Sequence, residues 1–243
     1  MANTFFEPGE QRAAKVDELF ARIAPRYDLI NDLQSFGLHR YWKRRVVKLA
    51  RPQPGQRALD LCCGTGDLAF ALARRGVEVA GLDFNEQMLG VAARRQPADG
   101  TPRTPTQGPR FVRADAQSLP FRDNSFDIVT VGYGLRNLAD WEKGLSEMHR
   151  VAMPGGRVLV LDFGRPDNAT WRGLYFGYLR FCVPWLGRIF CGSAAAYAYI
   201  LESLQHYPAQ RGVAEKMKQL GLFHVKIVSL LGGVMTINYG EKE

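Results

Sequence analysis

Acidic residues and glycines stand at the ends of three short apolar runs in the first half of the chain. Glycines in the first of these turns let the backbone pass close beneath a ligand, where a Cβ would collide. Asp83, at the end of the second run, can accept hydrogen bonds from both hydroxyls of a ribose. Asp115, at the end of the third run, can reach an adenine amino group. These positions therefore predict a site for an adenosine-containing ligand. The residues concerned are Asp60, Gly64, Thr65, Gly66, Asp83, Asp115 and Ala116.

The elements that must position these residues alternate between strand-like and helical patterns. Strands are predicted at Arg57–Cys62, Val77–Asp83, Phe111–Ala114, Phe126–Val131, Arg157–Phe163, Val225–Leu230 and Gly233–Tyr239. Helices are predicted at Leu68–Arg75, Glu86–Arg95, Trp141–Val151 and Val213–Leu220. Strands separated by helices imply right-handed parallel crossovers. The pattern therefore predicts an α/β fold with a doubly wound, mostly parallel seven-stranded sheet, whose ligand residues meet at the carboxyl ends of the strands.

The 243 residues suit one compact domain with four segments. Residues 1–54 are predicted to form an N-terminal helical cap, interrupted at Pro25, and residues 55–165 the ligand-binding core. Residues 166–210 are predicted to be a helical insertion or lid, and residues 211–243 supply the last two strands. The insertion is aromatic, but its arginines and proline argue against a membrane span. The segment Pro97–Pro109 is predicted to be a surface loop without function.

The glycine turn fits two classes of ligand. Gly64, Gly66 and Ala69 match the dinucleotide pattern G-x-G-x-x-A, so an NAD-dependent oxidoreductase is one alternative. A dinucleotide site usually has an apolar residue where this chain has Asp60. S-adenosylmethionine (SAM) instead carries a sulfonium and an ammonium, which this carboxylate can help balance. Together with Asp115, Asp60 favours a SAM-dependent methyltransferase, and the remaining alternative is that the aspartates only cap loops.

Motifs spread along the whole chain narrow the class of methyltransferase further. Near the N-terminus, YDLIND begins at Tyr27 and is followed by SFG and then HRYWK. Further along the chain, LDLCCGTGD begins at Leu59, GLRN begins at Gly134, and PGG begins at Pro154 and is followed by VLDF. With AYAY at 196–199, Ser203 and Pro208, these motifs resemble the ubiquinone/menaquinone biosynthesis C-methyltransferase family over roughly residues 15–235. The resemblance implies SAM as cofactor and methylation of a ring carbon of a polyprenylated quinol, with demethylmenaquinol as the expected substrate. It also implies that SAM is held at positions matching Thr65, Asp83, Asp115 and Ala116.

Two positions depart from the family pattern. Gly132 stands where the family has a serine, so only backbone can contact the cofactor there. Asn238 and Tyr239 stand where the family ends in a basic motif, which puts a substrate role for a terminal basic residue in doubt.

Three residues are the catalytic candidates. Arg136 can stabilise a developing phenolate as a fixed charge, Asn137 can orient the ring hydroxyl, and Tyr27 can relay its proton or stack on the ring. The alternatives are a helix-start turn with a solvated arginine and a tyrosine that only packs in an N-terminal lid. His39 is a further candidate base, but its basic neighbours favour an exposed helix without a catalytic role. No metal site is expected, since the histidines and the four cysteines show no ligand spacing.

The net charge of +8 and the pI near 9.5 are compatible with acidic partners or with a basic background spread along the chain. No RNA-binding motif is present, so no nucleic acid partner is expected. The insertion is predicted either to offer an apolar groove for an isoprenoid tail, with arginines meeting anionic lipid, or to be an ordinary covering helix. The N-terminus lacks the apolar core of a signal peptide, so none is expected. A quinol methyltransferase is expected to be cytoplasmic, and peripheral attachment to the inner membrane face is left open. Alternatives are a SAM-dependent enzyme acting on another small molecule or RNA, and a non-catalytic SAM-binding subunit; a homo-oligomer is left open.

Overall fold

The N-terminal region is helical. A computed structural model of the chain describes residues 10–95, 108–183, 203–204 and 207–243, with side chains from residue 14 onward. Three helices precede the sheet: α1 (Glu10–Ile23), α2 (Tyr27–Ser35) and α3 (Leu38–Ala50). Pro25 lies in a 3₁₀ turn between α1 and α2, where a residue without an N–H is tolerated. The predicted interruption at Pro25 is therefore a change of helix direction rather than the end of helical structure.

The sheet has seven strands. They are β1 (Arg57–Leu61), β2 (Glu78–Asp83), β3 (Arg110–Arg113), β4 (Phe126–Gly132), β5 (Ala152–Phe163), β6 (Leu222–Leu230) and β7 (Met235–Lys242). Their order is β3-β2-β1-β4-β5-β7-β6. The first five strands are parallel to one another, and β7 runs antiparallel to both β5 and β6. The predicted mostly parallel seven-stranded sheet is confirmed.

Helices cover both faces of the sheet. They are α4 (Asp67–Ala73), α5 (Glu86–Arg94), α6 (Trp141–Val151), α7 (Ala169–Gly177) and α8 (Ala209–Gln219). Along β5, Val158 and Val160 join a core with α6 and α8, whereas Leu159 and Leu161 join a core with α3 and α4. Alternate side chains of a strand point to opposite faces, so a continuous apolar run is what a doubly covered strand requires.

A third, smaller core joins the N-terminal helices to α7. Val16 and Leu19 of α1 and Ile30 of α2 pack with Tyr175 and Leu179. Asn168 caps α7 by accepting a hydrogen bond from the Trp171 N–H at 2.9 Å, and the helix continues as a π-helical turn at Tyr178–Cys182. This core places α1, α2 and α7 around the carboxyl end of the sheet.

Some strand bounds differ from the prediction. β5 begins at Ala152, because the chain pairs with Phe126 before a register shift and then runs through Pro154-Gly155-Gly156. β7 begins two residues later than predicted, because Leu231–Gly233 forms a turn in which Gly232 and Gly233 adopt positive φ.

Parts of two predicted segments fall outside the described residues. These are residues 97–107 of the predicted loop and residues 184–202 and 205–206 of the predicted insertion, which include AYAY at 196–199 and His206. Within the described ranges, the helices are too short or too polar to cross a membrane.

Candidate active site

Asp60 stabilises the turn that follows β1 through hydrogen bonds. Its carboxylate accepts hydrogen bonds from the Ala69 N–H at 3.1 Å and from the Thr130 hydroxyl at 2.8 Å. The side chain is 1% exposed, and this burial raises its pKa to about 7 although Thr130, Lys43 and Ala69 act in the opposite direction. Asp60 therefore ties β1 to α4 and to β4, and it does not line either of the cavities described below.

Asp83 is held by two backbone groups at the end of β2. Its carboxylate oxygens accept hydrogen bonds from the Gly64 N–H at 2.7 Å and from the Asn85 N–H at 2.9 Å. Gly64 has φ +55°, a left-handed conformation that costs glycine little. Burial raises the pKa of Asp83, and backbone hydrogen bonds from Asn85, Gly64 and Phe84 oppose that shift. A carboxylate offers about four lone-pair sites, so the fixed group can still accept a hydrogen bond from a ligand.

A cavity of about 130 Å³ lies beside these groups. Four of the predicted cofactor-binding residues line it together: Gly64, Asp83, Asp115 and Ala116. Its walls also include residues that the sequence analysis did not single out, among them Val16, Asp17, Phe84, Asn85, Met88, Gln117 and Leu138. Acceptors at two strand ends between apolar walls suit the hydroxyl and amino donors of an adenosine group, so the residues present fit SAM. We call this the adenosine cavity.

Thr65 and Gly66 lie behind the adenosine cavity rather than in its wall. The Thr65 hydroxyl donates a hydrogen bond to Asp28 at 2.8 Å, and its carbonyl accepts one from Arg95 at 2.8 Å. Asp67, which opens α4, forms ion pairs with Lys43 at 2.6 Å and with Arg95. These contacts join the glycine turn to α2, α3 and α5, so the N-terminal helices and the turn hold one another in place.

A larger cavity of about 380 Å³ adjoins the first. Phe20, Tyr27 and Tyr133 line both cavities. Its walls come mainly from apolar and aromatic residues of α1, α2, α3, α7 and the π-helical turn after α7, including Leu19, Ile23, Ile30, Trp42, Leu174, Tyr175 and Leu179. Phe163 at the end of β5 also lines it. We call this the apolar cavity.

Arg136 lies in the wall of the apolar cavity and is 6% exposed. Its guanidinium lies 3.1 Å from the Asp162 carboxylate and donates to the Ser203 hydroxyl at 2.7 Å. It also lies 4.9 Å from the centre of the Phe163 ring, a cation–π distance. These contacts exclude the solvated arginine considered as an alternative for this turn.

Tyr27 lines both cavities, whereas Asn137 lines the adenosine cavity. Asn137 accepts a hydrogen bond from Arg136 at 3.0 Å and donates one to the Tyr133 carbonyl at 3.1 Å. Burial raises the pKa of Tyr27 to about 12, although Asn31 and Arg136 lower it. Tyr27 therefore keeps its proton at neutral pH and can donate a hydrogen bond.

The predicted exposure of His39 is wrong. The side chain is 3% exposed and lines the apolar cavity, and its Nε2 lies 2.8 Å from an Asp32 oxygen. The helical spacing of His39 with Trp42, Val46 and Ala50 puts it on the buried face of α3. The prediction of exposure relied instead on the basic residues next to His39 in the sequence.

The two departures from the family pattern have different positions. Gly132 lines the adenosine cavity, and a Cβ there would lie 2.9 Å from the Leu68 side chain. Asn238 is buried in β7 and donates to the Gln210 carbonyl at 2.7 Å, outside both cavity walls. Among the described residues, no group of three or more His, Cys, Asp or Glu side chains could hold a metal ion.

Comparisons with known proteins identify the family of this chain. The profile of the ubiE/COQ5 methyltransferase family matches residues 9–242. The chain is 43% identical to the demethylmenaquinone methyltransferase of Thermus thermophilus, across 92% of this chain and 100% of the relative. It is 39% identical to the ubiquinone/menaquinone biosynthesis C-methyltransferase UbiE of Azotobacter vinelandii, across 97% and 92%. A solved SAM-dependent methyltransferase of Thermotoga maritima shares the fold, with a TM-score of 0.65 at 18% identity across 94% of this chain and 100% of that one. The chain therefore belongs to the ubiE/COQ5 methyltransferase family and is a SAM-dependent methyltransferase.

Proposed function

We propose that the protein methylates a ring carbon of a polyprenylated quinol, with demethylmenaquinol as its substrate. The observation that carries the proposal is the meeting of two cavities of different character at Tyr27 and Tyr133. One offers carboxylates and backbone to an adenosine group, and the other offers aromatic and aliphatic walls to an isoprenoid compound. The names of the relatives from Thermus thermophilus and Azotobacter vinelandii support a quinol as the acceptor.

The adenosine cavity is assigned to SAM. Asp83 would accept hydrogen bonds from the ribose hydroxyls, and Asp115 with Ala116 would hold the adenine. Gly64 would pass beneath the ligand, with Thr65, Gly66 and Asp60 keeping the turn in shape through the contacts described above. When bound, SAM supplies an electrophilic methyl group on a sulfonium.

The apolar cavity is assigned to the quinol. Holding the ring beside the methyl donor in a reactive geometry can lower the barrier by about 7–11 kcal/mol. Arg136, oriented by Asp162, would stabilise the negative charge that develops on the ring oxygen. Tyr27 would donate a hydrogen bond to the ring hydroxyl, and Asn137 would orient it at the boundary between the cavities.

We also propose that the protein is cytoplasmic and contacts the anionic inner face of the membrane with the mouth of the apolar cavity. Phe36 is 80% exposed and Leu174 is 63% exposed, and both line that cavity. Trp171 and Leu231 are exposed beside them. Large apolar side chains at the mouth of an apolar cavity are typical of proteins that take a substrate from a bilayer.

The test is transfer of radiolabelled methyl from SAM to chemically reduced demethylmenaquinone in detergent, with total RNA as a competing acceptor. We expect label in the quinone fraction, abolished by Asp83→Ala and reduced by Arg136→Ala. Asp123→Asn is the matched control, because Asp123 is exposed and pairs with Arg150 outside both cavity walls. Label in RNA alone, or no label in the quinone with wild-type protein, contradicts the proposal.

A further inference from the structure

We infer that Phe20, Tyr27 and Tyr133 form an aromatic enclosure that recognises the positive charge of the SAM sulfonium. The enclosure thereby favours SAM over the reaction product S-adenosylhomocysteine, which carries a neutral thioether in place of the sulfonium. The inference rests on the proposed assignment of the adenosine cavity to SAM and of the apolar cavity to the quinol. It adds to that assignment the residues that distinguish the charged methyl donor from its product.

The boundary between the two cavities is aromatic, because Phe20, Tyr27 and Tyr133 each line both of them. A methyl group that passes from SAM to the quinol has to cross this boundary, since each ligand is assigned to one cavity. The sulfonium that carries the methyl group must therefore lie near the boundary when both ligands are bound. Side chains that line both cavities are the ones placed to contact it.

The Phe20 and Tyr27 rings form two sides of the enclosure. Their centroids are 6.1 Å apart, and the ring planes are inclined by 64° to one another. Both residues are half-buried, so they keep surface that a ligand in the cavities can contact. The Tyr27 ring also lies beside the glycine turn, because a Cβ added at Gly64 would be 3.9 Å from its Cε1. An aromatic face attracts a ligand cation that lies within about 6 Å of the ring centroid.

Tyr133 is the third side, directly after β4. Its φ of +63° is uncommon for a residue with a large side chain, and its N–H donates a hydrogen bond to the Leu161 carbonyl at 2.7 Å. Its ring centroid lies 6.0 Å from that of Phe163. A strained backbone conformation is retained where the surrounding structure holds it and the position of the side chain serves a function. The strain at Tyr133 therefore agrees with a required position of this ring at the boundary.

Two of the three rings are available to a cation from a ligand. Lys43 Nζ lies 5.8 Å from the centre of the Tyr133 ring, and it is paired with Asp67 at 2.6 Å. No cationic group of the described residues lies over the ring of Phe20 or of Tyr27. Recognition of the sulfonium is therefore assigned mainly to Phe20 and Tyr27, with Tyr133 closing the enclosure.

Charged groups also act near this boundary. The charges of Asp28 and Asp83 raise the pKa of Tyr27, and that of Arg136 lowers it. Arg136 is itself paired with Asp162 at 3.1 Å. Carboxylates prefer a cation as well, so the experiment has to separate their contribution from that of the rings.

The test is the affinity for SAM, S-adenosylhomocysteine and sinefungin, measured by isothermal titration calorimetry without quinol. Sinefungin carries an ammonium group where SAM carries the methylated sulfonium, so it reports on the charge and cannot donate a methyl group. Phe20→Leu removes one ring and keeps an apolar side chain. It should lower the preference for SAM over S-adenosylhomocysteine by about 2–30-fold. The preference for sinefungin over S-adenosylhomocysteine should fall in the same direction.

Phe84→Leu is the matched control. Phe84 lines the adenosine cavity but not the apolar cavity, and Arg113 lies 5.9 Å from the centre of its ring. Its replacement should change the dissociation constants of SAM and S-adenosylhomocysteine by the same factor. Tyr27→Leu gives an independent measurement should Phe20→Leu fail to fold, and it should lower the preference as well. Tyr27→Phe keeps the ring and should retain the wild-type preference.

The outcomes separate this inference from the proposed function. An unchanged preference for SAM in both Phe20→Leu and Tyr27→Leu overturns the inference and assigns recognition of the charge to the carboxylates. An equal fall in Phe84→Leu and Phe20→Leu overturns it too. Label in the quinone together with either result contradicts the inference alone. If no label reaches the quinone while Phe20→Leu lowers the preference, the proposed acceptor is wrong and recognition of the sulfonium by these rings is supported.

Discussion

The aspartates at the strand ends show how surroundings give one residue type different tasks. Asp60 is buried and its oxygens are taken by the Ala69 N–H and the Thr130 hydroxyl. Asp83 is fixed by backbone donors but stays in a cavity wall, and Asp115 is exposed there. The first therefore acts on the protein's own structure, whereas the other two are available to a ligand.

Burial of Asp60 should make the free energy of unfolding fall as pH rises. The folded protein keeps this proton up to a pKa of about 7, whereas the unfolded chain loses it near about pH 4. Between these values the folded state binds more protons, so the free energy of unfolding decreases with increasing pH. From about pH 5.5 to about pH 7.5 the decrease due to Asp60 is about 2 kcal/mol.

The measurement is urea unfolding of wild type and Asp60→Asn at both pH values. The amide of the variant keeps an acceptor for the Ala69 N–H and offers a donor to Thr130, so its stability should vary less with pH. Asp167→Asn, at an exposed ion pair with Arg211, should keep the wild-type dependence. If the free energy of unfolding depends on pH equally in wild type and Asp60→Asn, the raised pKa of Asp60 is contradicted.

At this scale the sequence predicted residues at strand ends better than residues on helices. Gly64, Asp83, Asp115 and Ala116 share a cavity because parallel strands bring their carboxyl ends to one edge. His39 was misjudged because the number of charged neighbours was weighed above its helical spacing with Trp42 and Val46. The spacing decides burial, whereas neighbours at i±1 point elsewhere on a helix.

At the scale of elements, the turn after β4 separates the two cavities. Gly134 opens the 3₁₀ turn Leu135–Asn137, which places Arg136 on the apolar cavity and Asn137 on the adenosine cavity. A Cβ at Gly134 would lie 2.3 Å from the Cys62 Cβ. Cys62 has φ +49° at the end of β1, so the turn after β4 and the turn after β1 are packed directly on one another.

Gly134→Ala should therefore destabilise the protein by about 1–3 kcal/mol and raise the KM for SAM. Gly173→Ala in α7 is the control, because no described atom lies within 4 Å of the added Cβ. That variant should be neutral or stabilising by up to about 1 kcal/mol, since alanine favours a helix interior. Thermal unfolding and initial-rate kinetics measure both effects, and two alanine variants of equal stability would refute the packing argument.

The strands were predictable where both faces are covered and less so where the chain turns. Apolar runs located β1, β2 and β4 within a residue or two, because a doubly covered strand has few polar positions. The start of β5 at Ala152 depends on a register shift opposite Phe126, which apolar periodicity does not encode. The antiparallel insertion of β7 between β5 and β6 is likewise a property of tertiary pairing.

At the scale of the whole molecule, the strand ends of the sheet and the N-terminal helices line different cavities. Solved methyltransferases share the fold at 17–18% identity, so the sheet is the general part. The apolar cavity is walled largely by α1, α2, α3 and α7. Of these helices, α1, α2 and α7 pack on one another in a separate small core, whereas α3 packs against the sheet beside α4. With the quinol assigned to this cavity as proposed, the helices would select the acceptor, and their exposed rim would face the surroundings of the substrate.

Contact with a membrane should depend on that rim. Wild-type protein should sediment with vesicles of phosphatidylcholine and phosphatidylglycerol, less so at high salt, because the net charge is +8. Phe36→Ser with Leu174→Ser should weaken partitioning at least about tenfold, since each buried apolar side chain contributes about 1.5–3 kcal/mol. Both residues are exposed, so the fold should tolerate the change.

Phe223→Ser is the matched control, because Phe223 is exposed on β6 outside both cavity walls. Binding that ignores anionic lipid, or that falls equally in the control, would show that the mouth of the cavity does not face a bilayer.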